Sequence, residues 1–325
     1  MPANLHLTLV LPGLLWPHHD TTLPDINLPA LNKLRQWGRF RSQTSSREDF
    51  YRQYLWQNSW LEQAKNQLRI DEQCHCLIAI PTHQQVGLHQ IQCLSGDILA
   101  LTPVEAENFC QVLNHCFAEE GWELRVCRPD LWIMITPKEL KFSSPSLLDL
   151  DGYLNGTTKP IGRDAQQILK FQTELQMLLH EHPLNQQRAQ QGELPINALW
   201  LQTDSIGSAD TGLPLFTNCS WALAAQPLPT NYETFVAQIH DDTHIILFQD
   251  EFLSPCIQND FSAYELMLRQ WEQQWGQPLL SALRSGEVRQ LDIVTDGIRG
   301  GLLRIRKPRI APFWRKILPF NGSML

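Results

Sequence analysis

The densest chemistry in this 325-residue chain lies in His180-Glu181-His182-Pro183-Leu184-Asn185-Gln186-Gln187-Arg188, followed by Gly192, Pro195 and Asn197. His180 and His182 are two apart, so on a helix they diverge by about 200° and cannot grip one metal together. Their ordinary place is a helix end, where an imidazolium complements the dipole. His182, Asn185, Arg188 and Asn197 form the candidate ligand-binding set. They gather at a helix–strand junction, and a guanidinium forks onto phosphate or carboxylate. The same polar groups could instead tie the loop down.

A second cluster is His240-Asp241-Asp242-Thr243-His244, ahead of the apolar run 245–248 and Asp250. In an extended segment His240, Asp242 and His244 share one face. That face could hold a divalent metal such as manganese or zinc. The plainer reading is a solvated loop entering a strand. His18-His19-Asp20 invites the same pair of readings. Ser205 and Ser208 lie near Asp204 and Asp210, but no nucleophile elbow surrounds them. The eight cysteines form no framework. Cys74 and Cys76 lack the partner pair of a zinc site, and scattered thiols suit a reducing cytosol.

These side chains need elements to hold them. Residues 5–11 read as a buried strand ending at Pro12-Gly13. Helical spacing covers 30–40 and 49–68, and short strands are expected at 77–80, 91–94 and 98–101. Thr102-Pro103-Val104-Glu105 is a capping box opening a helix that Gly121 closes. Strands at 122–127 and 131–136 flank an Arg-Pro-Asp turn. A helix over 164–181 ends at Pro183, a short polar helix runs to Gly192, and 196–201 is a strand. Ser262-Ala263-Tyr264-Glu265 reads as a second capping box, on a helix interrupted by Gly276 and Pro278. Residues 288–294 and 302–305 make a hairpin about Asp296-Gly297. Alternating strands and helices predict an α/β layered fold. The turn-rich stretch 138–162 is the expected boundary between an N-terminal α/β lobe (1–137) and a C-terminal α/β portion (163–325). The latter should share one core with the first strand.

Hydrophobic residues make up 43% of the chain and charged ones 18%, which excludes a disordered or fibrous protein. A net charge of -8 argues against general nucleic-acid binding. The charge is uneven. Residues 297–325 hold five arginines, two lysines and no acid, leaving -15 on the rest. That basic end reads best as docked against the acidic body. No run is long enough to span a bilayer, and the start lacks a basic leader region, so the expectation is a cytoplasmic protein.

The run His-Pro-Leu-Asn-x-x-Arg-x-x-x-Gly, then Pro-x-Asn, resembles a segment of the archaeal-type cofactor-independent phosphoglycerate mutases. Those are metal-dependent enzymes of the alkaline-phosphatase superfamily. The stretches 176–183 and 197–201, the opening Leu11-Pro12-Gly13-Leu14-Leu15-Trp16-Pro17 and the Phe313-Trp314-Arg315 tail resemble the bacterial RpfE-type regulatory proteins. The resemblance implies an alkaline-phosphatase-like layered core with a second, smaller lobe. It also exposes departures. Where the mutases end their first strand in a metal-binding Asp, this chain has Pro12. Where they place Asp-x-x-x-His, it keeps Asp250 but has Ser254. The resemblance with these gaps implies a phosphoglycerate-mutase-like protein without the full two-metal centre, needing no cofactor. Such a protein would regulate by binding a protein partner or a small anionic ligand. An active metal-dependent mutase or phosphatase with rearranged ligands is the alternative.

Overall fold

The computed structural model describes residues 5–17, 23–87, 91–150, 152–154, 158–209, 212–223, 225–239, 244–306 and 318–324. Chain order begins β1 (Leu5–Val10), α1 (Pro29–Trp37), β2 (Arg39–Ser42), α2 (Arg47–Tyr54), β3 (Gln57–Ser59) and α3 (Trp60–Leu68). Then come β4 (His75–Val86), β5 (Ile91–Leu94), α4 (Pro103–Cys116), β6 (Glu123–Arg128), β7 (Leu131–Thr136) and β8 (Tyr153–Leu154). Next are α5 (Ala165–Glu181), α6 (Pro183–Gln191), β9 (Ala198–Gln202), β10 (Ile206–Ser208), β11 (Leu215–Thr217) and α7 (Tyr232–Gln238). The chain closes with β12 (His244–Phe248), α8 (Leu253–Ile257), α9 (Phe261–Trp271), α10 (Gln277–Ser285), β13 (Val288–Thr295) and β14 (Gly301–Arg306). It is an α/β protein.

Two compact units result, residues 1–58 with 207–325, and residues 59–206. The boundary expected at 138–162 lies inside the second unit. That stretch is rich in turn formers, but Ser143 and Ile161 exchange backbone hydrogen bonds of 2.8 and 2.9 Å. Asp164 accepts from the Lys141 amide at 2.8 Å, and the Trp200 indole donates to the Pro145 carbonyl at 3.1 Å. Turn composition marks irregular chain, and only pairing decides whether that chain links domains or belongs to one.

The first unit is built on a six-stranded sheet, order β11-β12-β1-β13-β14-β2. The first four strands are parallel, and β14 and β2 are antiparallel. Leu5, Leu7 and Leu9 of β1 enter one core with Ile245, Leu247, Leu291 and Ile293, under side chains from α1, α7, α9 and α10. Fully burying a leucine contributes about 1.5–3 kcal/mol. A one-residue slip of β1 would exchange those leucines for His6, Thr8 and Val10, so its register is strongly set. The second unit has an antiparallel sheet in order β6-β7-β4-β5-β8, with β9 also pairing β4. Its core holds Phe109, Leu113, Trp132, Leu175 and Leu179.

Several local expectations change in the fold. Helical spacing over 49–68 breaks into α2 and α3, because Asn58 adopts a left-handed φ of 59° and Ser59 caps α3 by accepting from the Glu62 amide. Residues 98–101 are not a strand. A 3-10 turn over Gly96–Leu99 ends on Ala100, again left-handed. The capping residue of α9 is Asp260 rather than Ser262, accepting from the Ala263 amide at 3.0 Å. Gly276 and Pro278 do not interrupt the helix that follows. The chain widens into a π turn over Glu272–Gly276 and continues as α10, the wider turn lying just ahead of Pro278, whose ring and missing N–H do not fit a regular α ladder. The turn has a use. Glu272, buried there, accepts from the Ala30 and Leu31 amides at 2.5 and 3.1 Å and so caps α1, whose own N-cap, Leu28, offers no side-chain acceptor.

Candidate functional site

In open α/β sheets ligands gather outside the carboxyl ends of the parallel strands. At that edge of the first unit, β1 runs out to Gly13, β12 to Gln249-Asp250 and β13 to Asp296. Helix α2 lays Arg47 and Tyr51 over the edge. These are four residues apart and therefore on one helix face. Ser46 starts the helix by accepting from the Asp49 amide at 3.1 Å.

Asp296 is 6% exposed and Arg47 9%. The Arg47 Nε donates to Asp296 Oδ2 at 3.0 Å, and the Gly13 amide donates to Oδ1 at 2.8 Å. The Tyr51 hydroxyl donates to Asp250 Oδ2 at 3.2 Å. Burial pushes the Tyr51 phenol well above its ordinary range, with Cys219 and Asp250 adding to it. Burial raises the Cys219 thiol as well, with the Asp250 charge second. The phenol therefore stays protonated as a donor, and the thiol is not an activated nucleophile.

Among the described residues this edge brings together Asp250 and Asp296, already engaged by Tyr51 and by Arg47 with Gly13. Two metals need several carboxylates and imidazoles converging with their lone pairs open. Here β1 brings an N–H donor, and Asp296 already faces a guanidinium. Of the proposed ligands, His244 and Asp250 stand far apart. His244 opens β12 and Asp250 lies beyond its far end, six residues on, which at about 3.3 Å per residue puts them about 20 Å apart. His244 stacks on His6, ring centroids 3.8 Å apart, and its Nε2 lies 2.9 Å from Thr8 Oγ1. His240, Asp242, His18, His19 and Asp20 lie outside the described residues. Among the described residues no group of three metal-binding side chains is gathered.

The other expected cluster assembles in the second unit. His182 ends α5 and starts α6 at once. Its Nδ1 accepts from the Leu184 amide at 3.2 Å, and its ring lies 4.5 Å from that of Phe109. Asn185 donates to the Leu179 and Ile196 carbonyls, both at 2.7 Å, and accepts from the Ile196 amide at 2.8 Å. Asn197 accepts from the Gln84 amide at 2.7 Å and donates to its carbonyl at 2.8 Å, as a strand partner would. Arg188, with no exposed surface, donates to Glu105 at 2.7 Å, to the Leu194 carbonyl at 3.0 Å and to the Leu99 carbonyl. Glu193 lies 3.2 Å from the same guanidinium. Glu105 is the capping-box glutamate of α4, taking bonds from the Thr102 amide and hydroxyl. Burial pushes its carboxyl up, but the Thr102 and Arg188 hydrogen bonds outweigh this and hold it below the usual range. Asp204 accepts from the Ser59 hydroxyl and the Leu61 amide and so helps start α3.

His182 therefore departs from the expected imidazolium at a helix C-terminus. Its lone pair caps α6, where the helix dipole disfavours positive charge. Burial lowers its pKa. A folded-state value below the unfolded 6.5 means its contribution is complete above about pH 6.5 and is lost as pH falls through the folded value. Urea unfolding midpoints between pH 7.5 and 5 should fall for the natural protein. They should fall less for His182→Asn, which keeps a capping oxygen that does not titrate. Equal slopes would dismiss the neutral cap.

Signals for the sheet-edge site were present but local in form. Asp250 and Asp296 each stand just beyond a largely buried strand, and Arg47 and Tyr51 have i, i+4 spacing. Nothing nearby pairs one with the other. No family model and no curated protein matches the chain. Among solved structures, it is similar to a cofactor-independent phosphoglycerate mutase from Thermoplasma acidophilum DSM 1728. The identity is 13% and the TM-score 0.39, over 94% of this chain and 90% of that one. It is also similar to the PH0037 protein from Pyrococcus horikoshii, with 12% identity and a TM-score of 0.44, over 94% and 88% of the two chains.

Proposed function

We propose that this chain is a phosphoglycerate-mutase-like α/β protein whose sheet edge no longer supports two-metal phosphoryl transfer, and that it acts by binding a protein partner. The observation behind this reading is the Arg47–Asp296 pair. A guanidinium sits against one carboxylate where a metal-dependent enzyme needs carboxylates turned to cations, and Pro12 stands where the first strand would offer another. The anion-binding role foreseen for Asn185, Arg188 and Asn197 gives way in this reading to loop fixing, since their polar groups bond the chain's own backbone and Glu105. No described helix is long and apolar enough to cross a membrane. The cysteines are free, which supports a reducing compartment.

Elemental analysis of the purified protein, with manganese and zinc supplied and then dialysed, tests the reading. No stoichiometric retention of either metal is expected, together with no turnover of 3-phosphoglycerate. One or two ions per chain, lost on Asp250→Ala, would sink the proposal and make the protein a metalloenzyme.

A further inference from the structure

One edge strand of the first unit's sheet is β2, with β14 on its inner side and no strand on its outer side among the described residues. Its sequence, Arg39-Phe40-Arg41-Ser42, alternates. Phe40 packs toward the core, while Arg39 and Arg41 are exposed on the opposite face. Register places Arg39 across from Arg304, and Arg41 across from Leu302. Arg306 follows on the same face of β14. Arg304 is matched by Asp292 at 2.9 Å, and Arg306 by the Gln290 side-chain oxygen at 2.8 Å. No acidic partner meets Arg39 or Arg41 among the described residues. On a protein of net charge -8, this edge is a local excess of positive charge.

We propose that β2 is a docking edge for an extended acidic segment of a partner protein, added as a further strand. The inference rests on the partner-binding reading above and gives it a surface. Two features select this occupant. An exposed edge strand offers main-chain N–H and C=O groups, and a peptide backbone satisfies both kinds where a phosphodiester has no donors for the carbonyls. Side chains along a strand also repeat every second residue, about 7 Å apart, so carboxylates at alternate positions fall directly across from Arg39 and Arg41. Exposed arginines on an edge discourage apolar strands from adding there, and the same charges favour an acidic one.

The test uses the full chain and a fluorescent octapeptide of alternating glutamate and valine. Controls are the matching lysine–valine peptide and a twenty-residue oligothymidylate. Expected are saturable binding of the acidic peptide alone, weakened by salt, and slowed amide exchange within 39–42 on binding. The double variant Arg39→Glu/Arg41→Glu, and independently Arg39→Gln/Arg41→Gln, should each lose affinity, the reversal by about tenfold or more. Both sites are exposed, so unchanged thermal unfolding will show that the variants fold. Absence of peptide binding, binding without amide protection, or oligothymidylate binding abolished by the same variants would each overturn the proposal. The metal analysis reads the parent proposal separately. Retained metal would remove the non-catalytic reading while leaving the edge intact, and failed peptide binding would do the reverse.

Discussion

Arg188→Met is expected to destabilise the unit formed by residues 59–206 by about 3–5 kcal/mol, the range for removing one partner of a buried charge network. Methionine fills a similar volume, so the loss is polar rather than a cavity. It leaves the Leu99 and Leu194 carbonyls without their donor, at about 1–3 kcal/mol each when buried. Glu105 would lose the guanidinium but keep the Thr102 bonds, which limits the damage on that side. Arg188→Lys should recover little, because one ammonium cannot point along the directions that the guanidinium fork serves. Urea unfolding followed by the fluorescence of Trp132 and Trp200 reads the size. Amide exchange in α4 and α6 reads the place. A loss under about 1 kcal/mol would show that packing alone holds the junction.

Asp296→Ala should cost the other unit a similar amount, about 3–5 kcal/mol, by taking one charged partner from the buried Arg47 guanidinium and orphaning the Gly13 amide. Asp296→Asn should be milder, since its amide oxygen can still accept from Gly13. The cycle with Arg47→Met separates the pair from its surroundings. If the guanidinium and carboxylate stabilise each other, the double variant will lose less than the sum of the single ones. Additive losses would mean that Asp296 serves the loop at Gly13 and that Arg47 is held by other groups. That outcome would also remove the main support for a sheet edge closed to metal.

Much of the fold was legible because it is local. The Thr102–Glu105 capping box forms with both reciprocal bonds, since its groups lie three residues apart on a chain that can turn only a few ways there. The buried first strand and the β13–β14 hairpin follow from apolar runs and a short connection. The grouping of Asn185, Arg188 and Asn197 was visible for the same reason. What they do was not visible, because Glu105 lies 83 positions from Arg188 and shows no sign of it in the sequence.

By itself, then, the sequence determined the alternation of elements, most helix starts and the polar junction around Pro183. Tertiary structure alone decided the rest. Sheet order set Asp296 against an arginine 249 positions away. Strand pairing, not composition, put 138–162 inside a unit and left β2 at one edge of its sheet among the described residues. Such outcomes depend on which strands become neighbours and in what register. Those are global choices made by burying whole faces, and no window of a few residues contains them.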